Sequence, residues 1–246
     1  VDQNATFGQT NFDGSILSIS SENATSGFSI VTYTGTATGG ATIGHGLGVA
    51  PKLVITKTRA IADNWLVYHA GIGATKYLTL NTDSAKGTSS GAWNDTAPSS
   101  TVVTLGSFDN SNDNDLMVAY CFAEKKGYSK FGTYNGNNNA DGTFVYTGFK
   151  PAFIVLKNSE RTQNWRMYDN KRPGFNSLAS YASRTNYSLR PNSNSAENLN
   201  NQLDILSNGF KFRSNDGDSN GYNENHIYWA FAEHPFVASN NVAATA

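Results

Sequence analysis

"NWLVYH" (Asn64–His69) and "NWRMYD" (Asn164–Asp169) carry one phrase, Asn-Trp-x-x-Tyr, with Trp165 standing 100 residues after Trp65 (165 − 65). A catalytic motif normally occurs once, whereas a phrase that returns at a fixed interval points to duplicated architecture. Three neighbouring phrases return with it, in the same order. "GFSIVTYTG" from Gly27 meets "GYSKFGTYNG" from Gly127, and "GVAPKLVITK", ending at Lys57, meets "GFKPAFIVLK", ending at Lys157. Downstream, "LMVAYCFAE" (Leu116–Glu124) meets "HIYWAFAE" (His226–Glu233).

Each phrase reads as a strand. "PKLVITK" and "PAFIVLK" are runs of β-branched and aromatic residues opened by Pro51 and Pro151, and proline is tolerated at a strand's first position. "NWLVYH" alternates Trp65 and Val67 on one side with Leu66 and Tyr68 on the other, a period of two. "MVAYCFAE" and "IYWAFAE" are nearly continuous apolar runs, as in central strands covered on both faces. Between them lie turn-rich stretches such as "DNSNDND" and "RSNDGDSNGYNEN". The expected fold is all-β: tandem duplicated antiparallel β-sandwich modules at residues 27–126 and 127–236. Residues 1–26 form an N-terminal extension, a strand or stalk, and 237–246 a polar tail. In each module the phrase's Trp and Tyr are expected to fill the core while Asn64 or Asn164 closes a turn, making it a fold signature.

Composition narrows the function. A net charge of −1 with 15% charged residues gives no basic surface for nucleic acid, the nearest cluster being "EKK" at Glu124–Lys126. The single cysteine, Cys121, can make no internal disulfide and reads as a small core residue. No apolar stretch approaches the roughly 20 residues that cross a bilayer, so membrane insertion is not expected. The opening "VDQNATFGQT" lacks the basic start and apolar core of a signal peptide, and its Val1 implies processing or a longer parent chain. The sequons at Asn4, Asn23, Asn94 and Asn186 arise by chance in so Asn-rich and Thr-rich a chain.

Reactive constellations are weak. His45, His69, His226 and His234 form no metal-ligand spacing; His45, in "GHG", reads as a surface turn, and His69 has Asp169 as its counterpart. Glu124 and Glu233 each end an "FAE" phrase in different modules, which does not suit the paired carboxylates of glycoside hydrolysis. "DGDSNG" (Asp216–Gly221) resembles the opening of a calcium loop, with oxygens at Asp216, Asp218 and Asn220. The closing Glu is missing, since Ile227 stands in its place and Glu224 comes too early, so a plain hairpin loop is the better reading. No catalytic residue, metal or cofactor is expected, and the chain is not read as an enzyme. Aromatics make up 12% of the chain, and Trp93, Tyr181, Tyr187 and Tyr222 fall in loop-like stretches where a ring could touch a receptor.

Taken together, "GFSIVTYTGTATGGATIGHGLGVAPKLVITK", "NWLVYH", "AYCFAE", "GYSKFGTYNGN…DGTFVYTGFKPAFIVLK", "NWRMYD", "LSNGFKFR" and "IYWAFAEHPF" resemble a domain of unknown function. That domain recurs at the C-terminal ends of virion structural proteins of tailed, often marine, bacteriophages, and the resemblance covers residues 27–236. It implies a virion protein at the particle surface, most simply the receptor-binding region of a tail fibre. The expected partners are other virion proteins, a host-surface glycan or protein, and further copies of the chain in a trimer. A capsid decoration or head fibre is the alternative, and a glycan-degrading virion enzyme a distant third. The resemblance assigns no catalytic or ligand-binding residues.

Overall fold

The computed structural model describes residues 8–172, 188–197 and 203–234. In chain order the first half contains β1 (Gln9–Asn11), β2 (Ser18–Asn23), β3 (Phe28–Thr34), β4 (Thr42–Gly44), β5 (Leu53–Thr58), β6 (Leu66–His69), β7 (Lys76–Thr79), β8 (Gly87–Thr88), α1 (Ser90–Trp93), β9 (Val102–Thr104), α2 (Asp109–Asn112) and β10 (Leu116–Phe122). The second half adds β11 (Ser129–Asn135), β12 (Phe144–Tyr146), β13 (Pro151–Asn158), β14 (Arg166–Asp169), β15 (Leu203–Leu206), β16 (Gly209–Phe212), α3 (Gly217–Asn220) and β17 (Asn225–Ala232). The fold is all-β, every ladder between these strands is antiparallel, and each helix is a single turn. Among the described residues no helix is long and apolar enough to cross a membrane.

Contacts gather the chain into two units. One comprises the residues up to Leu80 with Lys86–Glu124; the other comprises Asn81–Ala85 with the residues from Lys125 onward. The first unit's main sheet runs β1-β2-β3-β10-β5-β6-β7-β8, and its second sheet is β4-β9. The second unit's main sheet runs β11-β17-β13-β14, and its second sheet is β12-β16-β15. Among the described residues the last strand of each unit lies inside the main sheet, β10 between β3 and β5 and β17 between β11 and β13.

Alternation drives each unit's inner face together. On β3 and β10, Val31, Tyr33, Met117, Ala119 and Cys121 point one way and meet Ile43 and Val103 of the small sheet and Leu105 just beyond it. In the second unit Tyr134, Ile154, Leu156, Tyr168, Tyr228 and Ala230 meet Val145, Phe210 and Phe212. Each unit is thus a two-layer sandwich around one core. β10 is buried at alternate positions, whereas β17 is buried without a break from His226 to Ala230. The Asn-Trp-x-x-Tyr phrase straddles its sheet. Tyr68 and Tyr168 enter the two cores, while Trp65 stacks on Tyr120 at 6.2 Å and the fully buried Trp165 meets Trp229 at 5.4 Å, outside those clusters.

Two residues read as loop or surface positions lie inside. His45 is fully buried: Leu47 N–H donates to its Nδ1 at 3.2 Å and Nε2 lies 3.3 Å from the Ser99 carbonyl. The turn is made instead by Gly46 and Gly48, at φ +69° and +70°, where a side chain would be strained. Trp93 is likewise no loop residue. Ser89 caps α1 through Gly91 N–H, Asn94 closes it in the left-handed region, and Trp93 drops into the core edge-on to Tyr68 at 5.8 Å.

The Asn-rich stretches between strands are also ordered from within. Asn112, the last residue of α2, is buried, and its Nδ2 donates to the carbonyls of Thr38 (2.8 Å) and Gly106 (3.2 Å) while its Oδ1 accepts from Thr36 N–H (2.9 Å). Asn220, the last residue of α3, repeats the arrangement. Its Nδ2 donates to Ser214 O (2.8 Å), Asn139 O (3.0 Å) and Asn137 Oδ1 (2.9 Å), and its Oδ1 accepts from Asn137 N–H (3.0 Å). Beside each, a core tyrosine donates to the preceding serine's carbonyl: Tyr33 to Ser111 at 2.6 Å, Tyr134 to Ser219 at 2.7 Å. A lysine closes the loop after β5 and after β13 in the same repeated way. Lys57 Nζ donates to Thr58 O and Ile61 O, and Lys157 Nζ to Asn158 O and Arg161 O.

Removing the Asn220 amide takes the partner from the Ser214 and Asn139 carbonyls and the Asn137 N–H at once, and leaves a gap where a buried side chain stood. Asn220→Ala is expected to lower the urea-unfolding free energy by about 3 kcal/mol, against less than about 0.5 kcal/mol for Asn194→Ala at an exposed position.

Candidate functional site

Among the described residues the buried Lys, Arg and Asp side chains all belong to the second unit. Arg166 replaces the Leu66 of the first phrase, and Asp218, immediately before Ser219-Asn220, replaces the Asn110 that precedes Ser111-Asn112. Both second-unit residues are buried and form an ion pair. Arg166 Nη1 donates further to Ser188 Oγ at 3.3 Å, and Asn164 N–H donates to Asp218 Oδ1 at 3.3 Å. Asp216 accepts from Asp218 N–H at 2.8 Å as the cap of α3, and burial together with the neighbouring Asp218 charge raises its carboxyl above the usual range. Lys157 is fully buried, and loss of water pushes its amine down to about 8, against the pull of Asp218 and Asp83. At the rim, Asn158 Nδ2 joins Gly217 O to Glu224 Oε2, and Glu224 pairs with Arg161.

This geometry gives the calcium-like loop another occupation. Asp216 caps a helix, Asp218 is paired with Arg166, and Asn220 spends its amide on the chain. Among the described residues no group of three or more His, Cys, Asp or Glu could hold a metal ion. The loop is not a plain hairpin turn either: it holds the one-turn helix α3.

The remaining sequence candidates are placed as follows. Glu233 carries Lys150 at 2.6 Å and accepts from Asn170 Nδ2 at 2.8 Å, as a strand-end carboxylate does. His69 Nδ1 accepts from Gly71 N–H at 3.0 Å, and Asp169 Oδ1 accepts from Lys171 N–H at 2.9 Å. The interchange of His and Asp therefore preserves one turn-closing bond. Cys121 is buried in the first core, and burial pushes its thiol up to about 12, which keeps it protonated. His226 is buried against Tyr134 with ring centroids 4.8 Å apart, and burial lowers its basicity. His234 is exposed, and Tyr181 and Tyr187 lie outside the described residues.

Aromatic side chains that do face solvent belong largely to the second unit. Phe144 and Tyr146 stand two residues apart on β12, 43% and 63% exposed, and Tyr222 is 73% exposed beside the bridge to Gly136. On the first unit's matching strand, β4, Thr42 and Gly44 occupy the ends. Sequence reasoning singled out Tyr222 but passed over Phe144 and Tyr146. Their signal was "TFVYT", an apolar core residue flanked by two rings.

An all-β chain of two sandwich units, ion-paired inside and aromatic on one small sheet, is the class that fold and site define. The chain belongs to the family of the DUF7483 domain of unknown function, whose model matches residues 3–235. Comparison with curated proteins and with solved structures finds no match.

Two outcomes follow for the buried charges. Arg166→Leu alone strands Asp218 and is expected to cost about 3–5 kcal/mol in urea unfolding, whereas Arg166→Leu with Asp218→Asn, the first unit's pair, recovers most of that loss. For Lys157, the folded chain releases its proton near pH 8 while the unfolded chain holds it to about 10.5. Protons bound to the unfolded state are then in excess, so this group's contribution to stability rises with pH across that window. Urea titrations from pH 7.5 to 10.5 are expected to show wild type gaining up to about 3 kcal/mol relative to Lys157→Met.

Proposed function

We propose that this chain is the distal region of a tailed-bacteriophage virion appendage, a tail fibre or tailspike-like part that contacts the host surface and catalyses no reaction. The observation that carries this reading is the display of Phe144, Tyr146 and Tyr222 on a scaffold whose interior is pinned by buried amides and ion pairs. Such a surface offers contact area at low entropic cost, because the side chains that stiffen it are already ordered. The virion setting comes from the sequence resemblance. The matching strand orders and repeated asparagine and lysine contacts support the two units being copies of one ancestral module.

Assembly as a homotrimer with other virion proteins belongs to the same reading. β1 is an edge strand, and exposed Phe12, Leu17 and Ile19 cluster in sequence around β1 and β2, where a neighbouring copy would cover apolar surface and edge together.

Purified protein is expected to lower adsorption of the phage that carries it, in a dose-dependent way, and to give by light scattering a mass of about 80 kDa, three times the 26.5 kDa chain. Undiminished adsorption together with immunogold labelling confined to the capsid would overturn the tail reading and favour a head decoration.

A further inference from the structure

The outer face of the β12-β16-β15 sheet has a composition that the fold itself does not require. Val145, Phe210 and Ile205 point into the core, so the alternate residues point out. Register sets them in two rows, Phe144–Lys211–Asp204 and Tyr146–Gly209–Leu206. A Cβ at Gly209 would run into the Val145 carbonyl and come within 3.1 Å of the Phe144 ring, so the glycine lets that ring lie close against the strand. Beyond the rings, Asp141 Oδ1 lies 3.0 Å from Lys211 Nζ and 3.4 Å from Arg213 Nη1, and Arg213 Nε lies 2.5 Å from Asp204 Oδ2. Hydrogen bonding from Lys211 holds the Asp141 carboxyl below its usual range, and the residue's side chain is 75% exposed. Both cations use the same oxygen, which leaves Oδ2 able to accept from a hydroxyl.

We propose that this face is a binding site for a neutral sugar ring of a glycan chain, stacked on Tyr146 and Phe144 with its hydroxyls on Asp141, Lys211 and Arg213. Three features select this occupant. A pyranose presents an apolar C–H face and a hydroxylated edge, matching rings beside a row of donors and acceptors. The two cations and two carboxylates of the row cancel, so the face favours no charged ligand. Its size also suits a ligand of sugar dimensions: three strands about 4.8 Å apart and three to four residues long span roughly 200 Å², well below the about 800 Å² per partner of a standard protein interface. Phe144 and Tyr146 belong to neither core and stay 43% and 63% exposed, so interior packing does not account for them.

The site rests on the host-contact reading above, naming what is contacted and where. The test uses the full chain on immobilised neutral oligosaccharides of glucose, galactose and mannose, with uronic-acid and sialylated oligosaccharides alongside. Wild type is expected to bind at least one neutral member. Tyr146→Ala and Asp141→Asn should each weaken that binding about tenfold or more at an unchanged thermal midpoint, and Asn194→Ala, at an exposed position with no part in the site, should leave it within about twofold. Binding that survives Tyr146→Ala, binding of acidic glycans only, or no binding of any neutral member overturns the site. Adsorption assays separate the two ideas. If Tyr146→Ala protein blocks adsorption as well as wild type, the site fails and the virion reading stands. If wild type binds a neutral oligosaccharide yet never blocks adsorption, the site stands and the host-contact reading fails.

Discussion

A β-sandwich with short strands must hold long polar connections without regular backbone pairing, and here one buried side-chain amide in each unit does so. Asn112 and Asn220 present a donor pair and an acceptor in the geometry of a peptide group, and each joins two separate stretches of chain to the end of a one-turn helix. Neither aspartate nor glutamine would serve. Aspartate loses the donors and brings a charge into a buried place, and glutamine moves the same groups outward by a methylene. With these loop ends fixed, Tyr33 and Tyr134 can reach the adjacent serine carbonyls from the core, and the central strand that follows starts in register.

The two units share this frame and differ in what they build on it. In the first, Leu66 and Asn110 give a neutral interior at the helix; in the second, Arg166 and Asp218 give an ionic one. A buried pair of charges does not by itself make a fold more stable, because desolvation consumes the attraction. The difference therefore adds polar constraint around α3 more than net stability. The outer strand diverges in the same unit, from Thr42 and Gly44 to Phe144 and Tyr146. Interior pairing and surface display thus both set the second unit apart.

The strands were legible because their phrases recur. A short apolar run after Pro51 or Pro151, and the alternation of "NWLVYH", are fixed by local pattern. The placement of His45 and Trp93 was not. The first depends on the left-handed turns at Gly46 and Gly48, the second on capping by Ser89 and Asn94, and neither is a matter of hydrophobic period. Asn112 and Asn220 were hidden for a different reason. A loop rich in Asn, Asp, Ser and Gly has the same composition whether it is solvated or braced from within. The pair Ser-Asn does recur, at 111–112 and 219–220, but at an interval of 108 (220 − 112), outside the 100-residue spacing of the tryptophan phrases. Phe144 and Tyr146 could be assigned to a strand by pattern, yet which face of that strand is covered is settled only by the tertiary structure.

The position of β10 and β17 has a consequence for how the protein is made. Among the described residues each is the last strand of its unit in the chain and an interior strand of its main sheet. A chain emerging from the ribosome therefore presents β3 and β5 with a vacant lane between them until Phe122 has cleared the exit tunnel, and β11 and β13 in the same state until Ala232 follows. During that interval the unpaired edges of neighbouring nascent chains on one polysome are competing partners for the lane. The longer the stretch between β5 and β10 takes to be made, the longer that lane stays open to such a partner.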